Sequence, residues 1–297
     1  NNFIFSLVMK VNKKFVIEHN TKILGYFYIE SKNMQNVLER KSIKDIDFNC
    51  DLAQSFGIYK NSSEADLLDY VSSVNIACGF HAGDPSAIKN ALLLAKEKNV
   101  VVGAHIGYDD IQGFGYREVD LDPDELEALV MYQVGALMTF AKAYNMEIEH
   151  VRPHGALYRK AMEDIETSRT IAKAIKKCSQ WLVYYGAAGK TLSQIAEEEN
   201  IQVAHEVHLE KIYDENGNIV FSAKDLENTD ISISRLKDLL NNSRVTNNAG
   251  GKTIVEADTI HFSNKLSNAK DLVIAANEIV SPLPYNYKNA MESGWVN

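Results

Sequence analysis

The stretch Val71-Ser72-Ser73-Val74-Asn75-Ile76-Ala77-Cys78-Gly79-Phe80-His81-Ala82-Gly83-Asp84-Pro85 compresses a whole structural unit into one run of residues. Its first half is short, apolar and β-rich, which predicts a buried strand over Val71–Cys78. Gly79 and Gly83 break that pattern on either side of His81. Asp84-Pro85 then pairs a capping side chain with a proline at the first helical position, and Pro85–Lys98 reads as a helix. A strand, a polar loop carrying a histidine and a capped helix follow one another without a linker.

The same rhythm runs along the chain from Lys44 onward. Strands are predicted at Ile46–Cys50, Val71–Cys78, Val100–His105, Ile148–His154, Trp181–Gly186, Ile201–Glu206 and Thr259–Phe262. Helices are predicted at Glu64–Tyr70, Pro85–Lys98, Pro123–Tyr144, Ile165–Lys177, Gly189–Asn200, Ile231–Asn242 and Ala269–Val280. Asp122-Pro123 repeats the Asp-Pro start, with Glu125 completing a capping-box pattern. Strand–helix alternation implies a mainly parallel α/β sheet with right-handed crossovers, either open and doubly wound or closed into a barrel. The span suits a barrel slightly smaller than the eightfold kind. Nothing divides residues 45–280, which are read as one catalytic domain, with 1–44 as an N-terminal appendage of unreadable role and 281–297 as a tail. Between Glu206 and Thr259 the pattern is interrupted: Asp214–Asn218 predicts a small hairpin, and Asn247–Gly251 a tight turn.

Composition sets outer limits. The 297 residues are 45% hydrophobic and 24% charged, as in an ordinary folded protein. A net charge of −9 removes the basic footprint expected of a nucleic-acid binder. No apolar run approaches the ~18 residues of a membrane span, so no membrane association is expected. The appendage is basic and is read as carrying two short strands, Phe15–Glu18 and Ile23–Ile29, but no cleavage-site pattern follows its apolar start. Cys50, Cys78 and Cys178 are too few and too scattered for a disulfide framework, which points to a reducing, cytoplasmic setting.

The chemistry-bearing residues collect where strands end. The first strand runs into Asn49-Cys50-Asp51, the second into His81 and Asp84, the third into His105, the fourth into Arg152-Pro153-His154, and the sixth into His205-Glu206. In parallel α/β folds the carboxyl ends of strands meet at one face, so adjacent units deliver Asp51, His81, His105 and His154 to one rim. That set could hold a divalent metal or act as acid and base without one. Asp84 reads equally well as a helix cap. Asp109, Asp110 and Arg117 sit on a glycine-rich loop after the third strand. Gly186-Ala187-Ala188-Gly189-Lys190-Thr191 mimics a P-loop but has two residues between its glycines where the motif needs four, and Gly251-Lys252-Thr253 lacks the first glycine. The first of these still offers backbone N–H groups at a helix start, where an anion can bind.

These residues resemble one family closely. Asn49-Cys50-Asp51-Leu52 with Ser55-Phe56-Gly57, the run Asn75–Pro85, Gly103-Ala104-His105, Gln112-Gly113-Phe114-Gly115 and Pro153-His154-Gly155-Ala156-Leu157-Tyr158 look like the LamB/YcsF family. The resemblance covers about residues 45–265. It implies a seven-stranded parallel (β/α) barrel of the glycoside hydrolase/deacetylase type. It also implies ATP-dependent hydrolysis of 5-oxo-L-proline to L-glutamate with partner subunits B and C. On this reading Asp51, His81, His105 and His154 are catalytic. Asn49, Asp84, Arg117, Tyr158 and Lys211 contact substrate, and Gly186, Gly189 and Lys190 meet the ATP phosphates. A divalent metal is a candidate cofactor, and a homo-oligomer is left open.

The departures from the family pattern are specific. Its Gly-Glu after Asp-Leu is Ala53-Gln54 here, an amide in place of a carboxylate. Its His-Pro-Gly-Tyr-Pro-Asp reads His105-Ile106-Gly107-Tyr108-Asp109-Asp110, and its Gly-Phe-Gly-Arg-Arg reads Gly113-Phe114-Gly115-Tyr116-Arg117. An Asp-Arg pair becomes Glu210-Lys211, with Tyr213 retained, and a His-Gly-Asp becomes Ser263-Asn264-Lys265. The fold is therefore expected to be intact, with activity lowered, altered or lost through Gln54 and Ser263. Two other readings compete: a stand-alone metal-dependent amide or acetyl hydrolase, and a non-catalytic scaffold in a larger complex.

Overall fold

The computed structural model describes residues 46–59, 64–280 and 282. The strands predicted for the appendage, and the C-terminal tail apart from Pro282, lie outside the described residues. The barrel belongs to the unit formed by residues 45–297.

Seven parallel strands close on one another. Six come in succession: β1 (Asp47–Leu52), β2 (Ser73–Ala77), β3 (Val101–Ile106), β4 (Ile148–Pro153), β5 (Val183–Ala187) and β6 (Val203–His208). A short antiparallel hairpin of β7 (Arg244–Thr246) and β8 (Lys252–Ile254) follows, turning at Asn247–Gly251 as its sequence predicts. The seventh barrel strand is β9 (Thr259–His261). It pairs with both β6 and β1, so the barrel rather than the open sheet is the correct alternative. The helices are α1 (Pro85–Lys98), α2 (Pro123–Ala143), α3 (Gly155–Glu163), α4 (Ile165–Cys178), α5 (Lys190–Glu199) and α6 (Thr229–Asn242), with α7 (Ala269–Asn277) last.

The start signals act as read. Asp84 accepts from Ala87 N at 2.8 Å. Asp122 and Glu125 form a full capping box, with bonds of 2.8 and 3.0 Å. Three differences appear. The predicted helix Glu64–Tyr70 is only a 3-10 turn over Glu64–Leu67. The last helix stops at Asn277. α3 has no counterpart among the predicted helices, because His154 at its N-cap makes no side-chain capping bond and so leaves no local start signal. It forms because Ala156, Leu157, Tyr158 and Ala161 bury one face.

The strands alternate between two environments. On β1, Phe48 packs edge-on against Phe262 at 4.9 Å, while Asp47, Asn49 and Asp51 point into the barrel. The interior is polar, where barrels of this kind are more often filled by branched apolar side chains. At its base Asp47 accepts from Ser72, Ser73 and Thr259 hydroxyls at 2.6, 2.8 and 2.5 Å. One layer up, Asn75 donates to Asn49 Oδ1 at 2.8 Å, and His150 Nε2 meets Asn75 Oδ1 at 2.8 Å. Gly103 makes room for that histidine: a Cβ there would lie 2.2 Å from the His150 ring. Among the described residues no helix is long and apolar enough to cross a membrane.

Candidate active site

Asp51, near the end of β1, is the hub of the upper layer. Its Oδ1 lies 3.1 Å from Asn75 Nδ2, 3.3 Å from His105 Nε2, 3.2 Å from His261 Nε2 and 3.4 Å from Arg152 Nη1. Burial alone would favour the acid, but His105, His261 and Arg152 outweigh it and hold the carboxyl well below its ordinary value. Asp51 is therefore an anion at neutral pH.

His105 and His154 form a linked pair above it. His154 Nδ1 meets His105 Nε2 at 3.0 Å, His105 Nδ1 meets Arg152 O at 3.1 Å, and His154 Nε2 meets Phe114 O at 2.8 Å. Each carbonyl needs an N–H, and the ring–ring contact needs one more. Two neutral imidazoles carry only two. Burial and the neighbouring His105 push His154 well down, so it is neutral at pH 7. The pair thus stands one proton short of its own hydrogen-bond pattern, with the Asp51 anion beside it to offset the charge of a third. That is the arrangement of a general base.

His81 stacks on His154 with ring centroids 4.0 Å apart, is fully buried, and has no hydrogen bond at either nitrogen among the described residues. Burial and the two other histidines keep it neutral. One nitrogen from each of His81, His105 and His154 lies within 4.8 Å of the others, so the trio could hold a metal ion. Glycines admit these rings. Gly115 (φ +69°) would place a Cβ 2.7 Å from His81, and Gly155 (φ +55°) would place one 2.5 Å from Gly115 O.

Behind Asp51 a second ion pair stiffens the pocket. Arg152 Nε reaches both oxygens of Glu206, at 2.6 and 2.8 Å, and its guanidinium lies 4.9 Å over the Tyr158 ring. Burial opposes the Glu206 charge, but Arg152 and His208 hold the carboxyl well below its ordinary value. Tyr158 Oη meets His208 Nε2 at 3.3 Å, and Asn49 reaches Glu206 Oε2 at 3.4 Å.

Asn49, Asp51, His81, His105, His154 and Tyr158 are therefore brought together. The other residues singled out by sequence are held elsewhere. Asp84 caps α1 and accepts from Gly57 N at 2.8 Å. Arg117 is bound to Asp110, whose carboxyl it holds down to about 2. Lys211 pairs with Asp225 at 2.7 Å. Gly186 packs against Leu192 beside a small cavity lined by Tyr158 and Tyr184, while Gly189 and exposed Lys190 begin α5. Among the described residues, Arg117, Lys190 and Lys211 make no hydrogen bond or ion pair with the Asp51 cluster.

Of the departures, Gln54 is buried and donates to Asp51 Oδ2 at 3.2 Å, while its Oε1 has no hydrogen-bond partner among the described residues. Asn264 donates to Asp51 O at 3.2 Å, and Lys265 lies 4.5 Å over both the Phe114 and Tyr116 rings. Sequence reasoning names Arg152, Glu206 and Glu210 at or near the strand ends without giving them a role in the site, and misses His208 and His261. The alternation Ala204-His205-Glu206-Val207-His208 is the available signal for Glu206 and His208, since it sets 204, 206 and 208 on one side of a strand.

Fold and site together define a (β/α) barrel protein with acid–base groups gathered at the carboxyl ends of its strands. A model of the LamB/YcsF family matches residues 46–282, and the chain belongs to that family. It is 40% identical over 218 residues to the 5-oxoprolinase A subunit of Bacillus subtilis (strain 168), spanning 72% of this chain and 85% of that protein. Identity is 37% over 234 residues to the 5-oxoprolinase A subunit of Thermococcus onnurineus (strain NA1), with 78% and 91% covered. The lactam utilization protein from Thermus thermophilus matches in structure with a TM-score of 0.76 at 34% identity, over 82% of this chain and 100% of that one.

Proposed function

We propose that this chain is the A component of an ATP-dependent 5-oxoprolinase, opening 5-oxo-L-proline to L-glutamate together with subunits B and C. The observation that carries the reading is the buried Asp51–His105–His154 base in a chain so similar to proteins of that name. A lactam is an unreactive amide. Attack of its oxygen on the γ-phosphorus of ATP forms an O–P bond, expels ADP and makes the ring carbon electrophilic. Water then adds to that carbon and gives its proton to the His105–His154 pair, and the ring nitrogen leaves as the amine after taking up a proton. A second water cleaves the resulting acyl phosphate to inorganic phosphate and the side-chain carboxylate of glutamate. Asp51 stabilises the charged pair. Asn49 and Tyr158 present polar groups to the substrate. A phosphate on this chain would be met at the start of α5, by the N–H groups at Gly189 and Lys190. The barrel, residues 45–280, is the catalytic unit.

ATP-dependent glutamate release from 5-oxoproline, assayed with subunits B and C of a related organism, tests this. Release should require the chain, and Asp51→Asn should lower it by roughly 100-fold or more in protein whose circular dichroism shows it folded. Release unaffected by omission of the chain would overturn the reading.

One observation favours a second reading, a metal-dependent amide hydrolase acting alone. It is the unpartnered, buried His81 beside His105 and His154. A metal there would polarise an amide carbonyl, but it would have to displace the existing His105–His154 bond. Amide hydrolysis by the chain without ATP or partners, lost on His81→Ala, would select this reading.

A further inference from the structure

On the far side of Asp51 lies a second group of donors that the proposed reaction does not use. His208 closes β6, His261 closes β9, and Glu210 follows His208 by two residues. One ring nitrogen of each histidine and one Glu210 oxygen lie within 4.8 Å of one another. All three residues are buried, Glu210 to 1% exposure. Among the described residues, both Glu210 oxygens and Nδ1 of both histidines lack a hydrogen-bond partner. The nearest approach to Glu210 Oε1 is His208 Nδ1, at 3.4 Å. Leaving a carboxylate so buried and so little bonded is costly unless a cation completes it.

The opposite nitrogens face carboxylates, that of His261 without a hydrogen bond among the described residues. His261 Nε2 lies 3.2 Å from Asp51 Oδ1, and His208 Nε2 lies 3.5 Å from Glu206 Oε1. Histidines that bind metals characteristically turn their other nitrogen to a carboxylate, which fixes the ring and raises its basicity. Among the described residues Arg152 pairs with Asp51 and Glu206, and no guanidinium or ammonium group forms an ion pair or hydrogen bond with the Glu210 carboxylate.

We propose that His208, Glu210 and His261 form a binding site for one divalent transition metal of the zinc class. Two imidazoles and a carboxylate are zinc donors, whereas magnesium and calcium take oxygen ligands. Ligand atoms around a tetrahedral zinc stand about 3.4 Å apart, so the three side chains need close by no more than about 1.5 Å. A three-residue set leaves the fourth position open. The His81/His105/His154 trio is the poorer host, because two of its nitrogens are spent on each other and a third on Phe114 O. The inference does not rest on the 5-oxoprolinase reading.

The test uses the full chain, stripped with chelator and titrated with Co2+ and with Zn2+, without ATP or other subunits. The expected result is one equivalent bound, a tetrahedral Co2+ absorption spectrum, and a thermal midpoint raised by Zn2+ but not by Mg2+. Glu210→Gln, which keeps the side-chain size, and His261→Ala should each weaken binding at least about 100-fold and abolish the Zn2+ shift. His81→Ala should retain both. Absence of binding by the folded chain, equal binding by the Glu210 and His261 variants, or loss on His81→Ala in their place would overturn the proposal.

Discussion

Ala53 has φ +62°, the left-handed region, at the position where the family pattern has glycine. A Cβ in that region costs about 1–2 kcal/mol, less whatever the unfolded chain gains from a freer glycine. Ala53→Gly should therefore stabilise the protein by roughly 0.5–1 kcal/mol, read from urea midpoints. Its neighbour Gln54 bonds Asp51 and leaves Oε1 unpaired inside the pocket. Gln54→Glu would place a second carboxyl beside the His105–His154 base. We expect higher turnover in the reconstituted reaction; an unchanged rate would show that this position has no part in the chemistry. At the base of the barrel, burial raises the Asp47 carboxyl to about 6 against its hydroxyl donors. A raised folded value means that its contribution to stability is full below about 4 and is lost as pH rises through 6. Relative to Asp47→Asn, the unmodified protein should gain about 2 kcal/mol between pH 7.5 and pH 4, measured by denaturant unfolding at each pH.

At the scale of elements, the helices differ in how openly the sequence declares them. α1 and α2 begin with Asp-Pro pairs whose side chains bond the first turn, a contact within three residues of chain. Removing the Asp122 cap by Asp122→Ala should cost about 1 kcal/mol of stability and leave activity unchanged, since Asp122 is exposed and its hydrogen bonds go to the first turn of α2. α3 has no such signal. It is held by burial of Tyr158 and Leu157 and by Gly155, whose positive φ lets the chain pass the Gly115 carbonyl. The strands are legible in the sequence to within two or three residues at either end. The site residues at the ends of β6 and β9 escape that reading because β6 runs on past its apolar core, and because a three-residue β9 offers too little alternation to mark His261.

For the molecule as a whole, the strand–helix rhythm, the caps and the turn at Asn247–Gly251 are local, and the sequence by itself determined them. It also determined the rim histidines, because a strand's end fixes which face its loop joins. Only the tertiary structure decided that the sheet closes, setting β9 against β1. Only closure, in turn, brings His261 to Asp51, and Asn49 to Thr259 across 210 residues of chain. The Arg152–Glu206 pair spans 54 residues and likewise appears in no local pattern. Periodicity reports which side of a strand a residue faces. Which polar group meets it inside the barrel depends on the stagger and closure of all seven strands together, and that is a property of long-range packing alone.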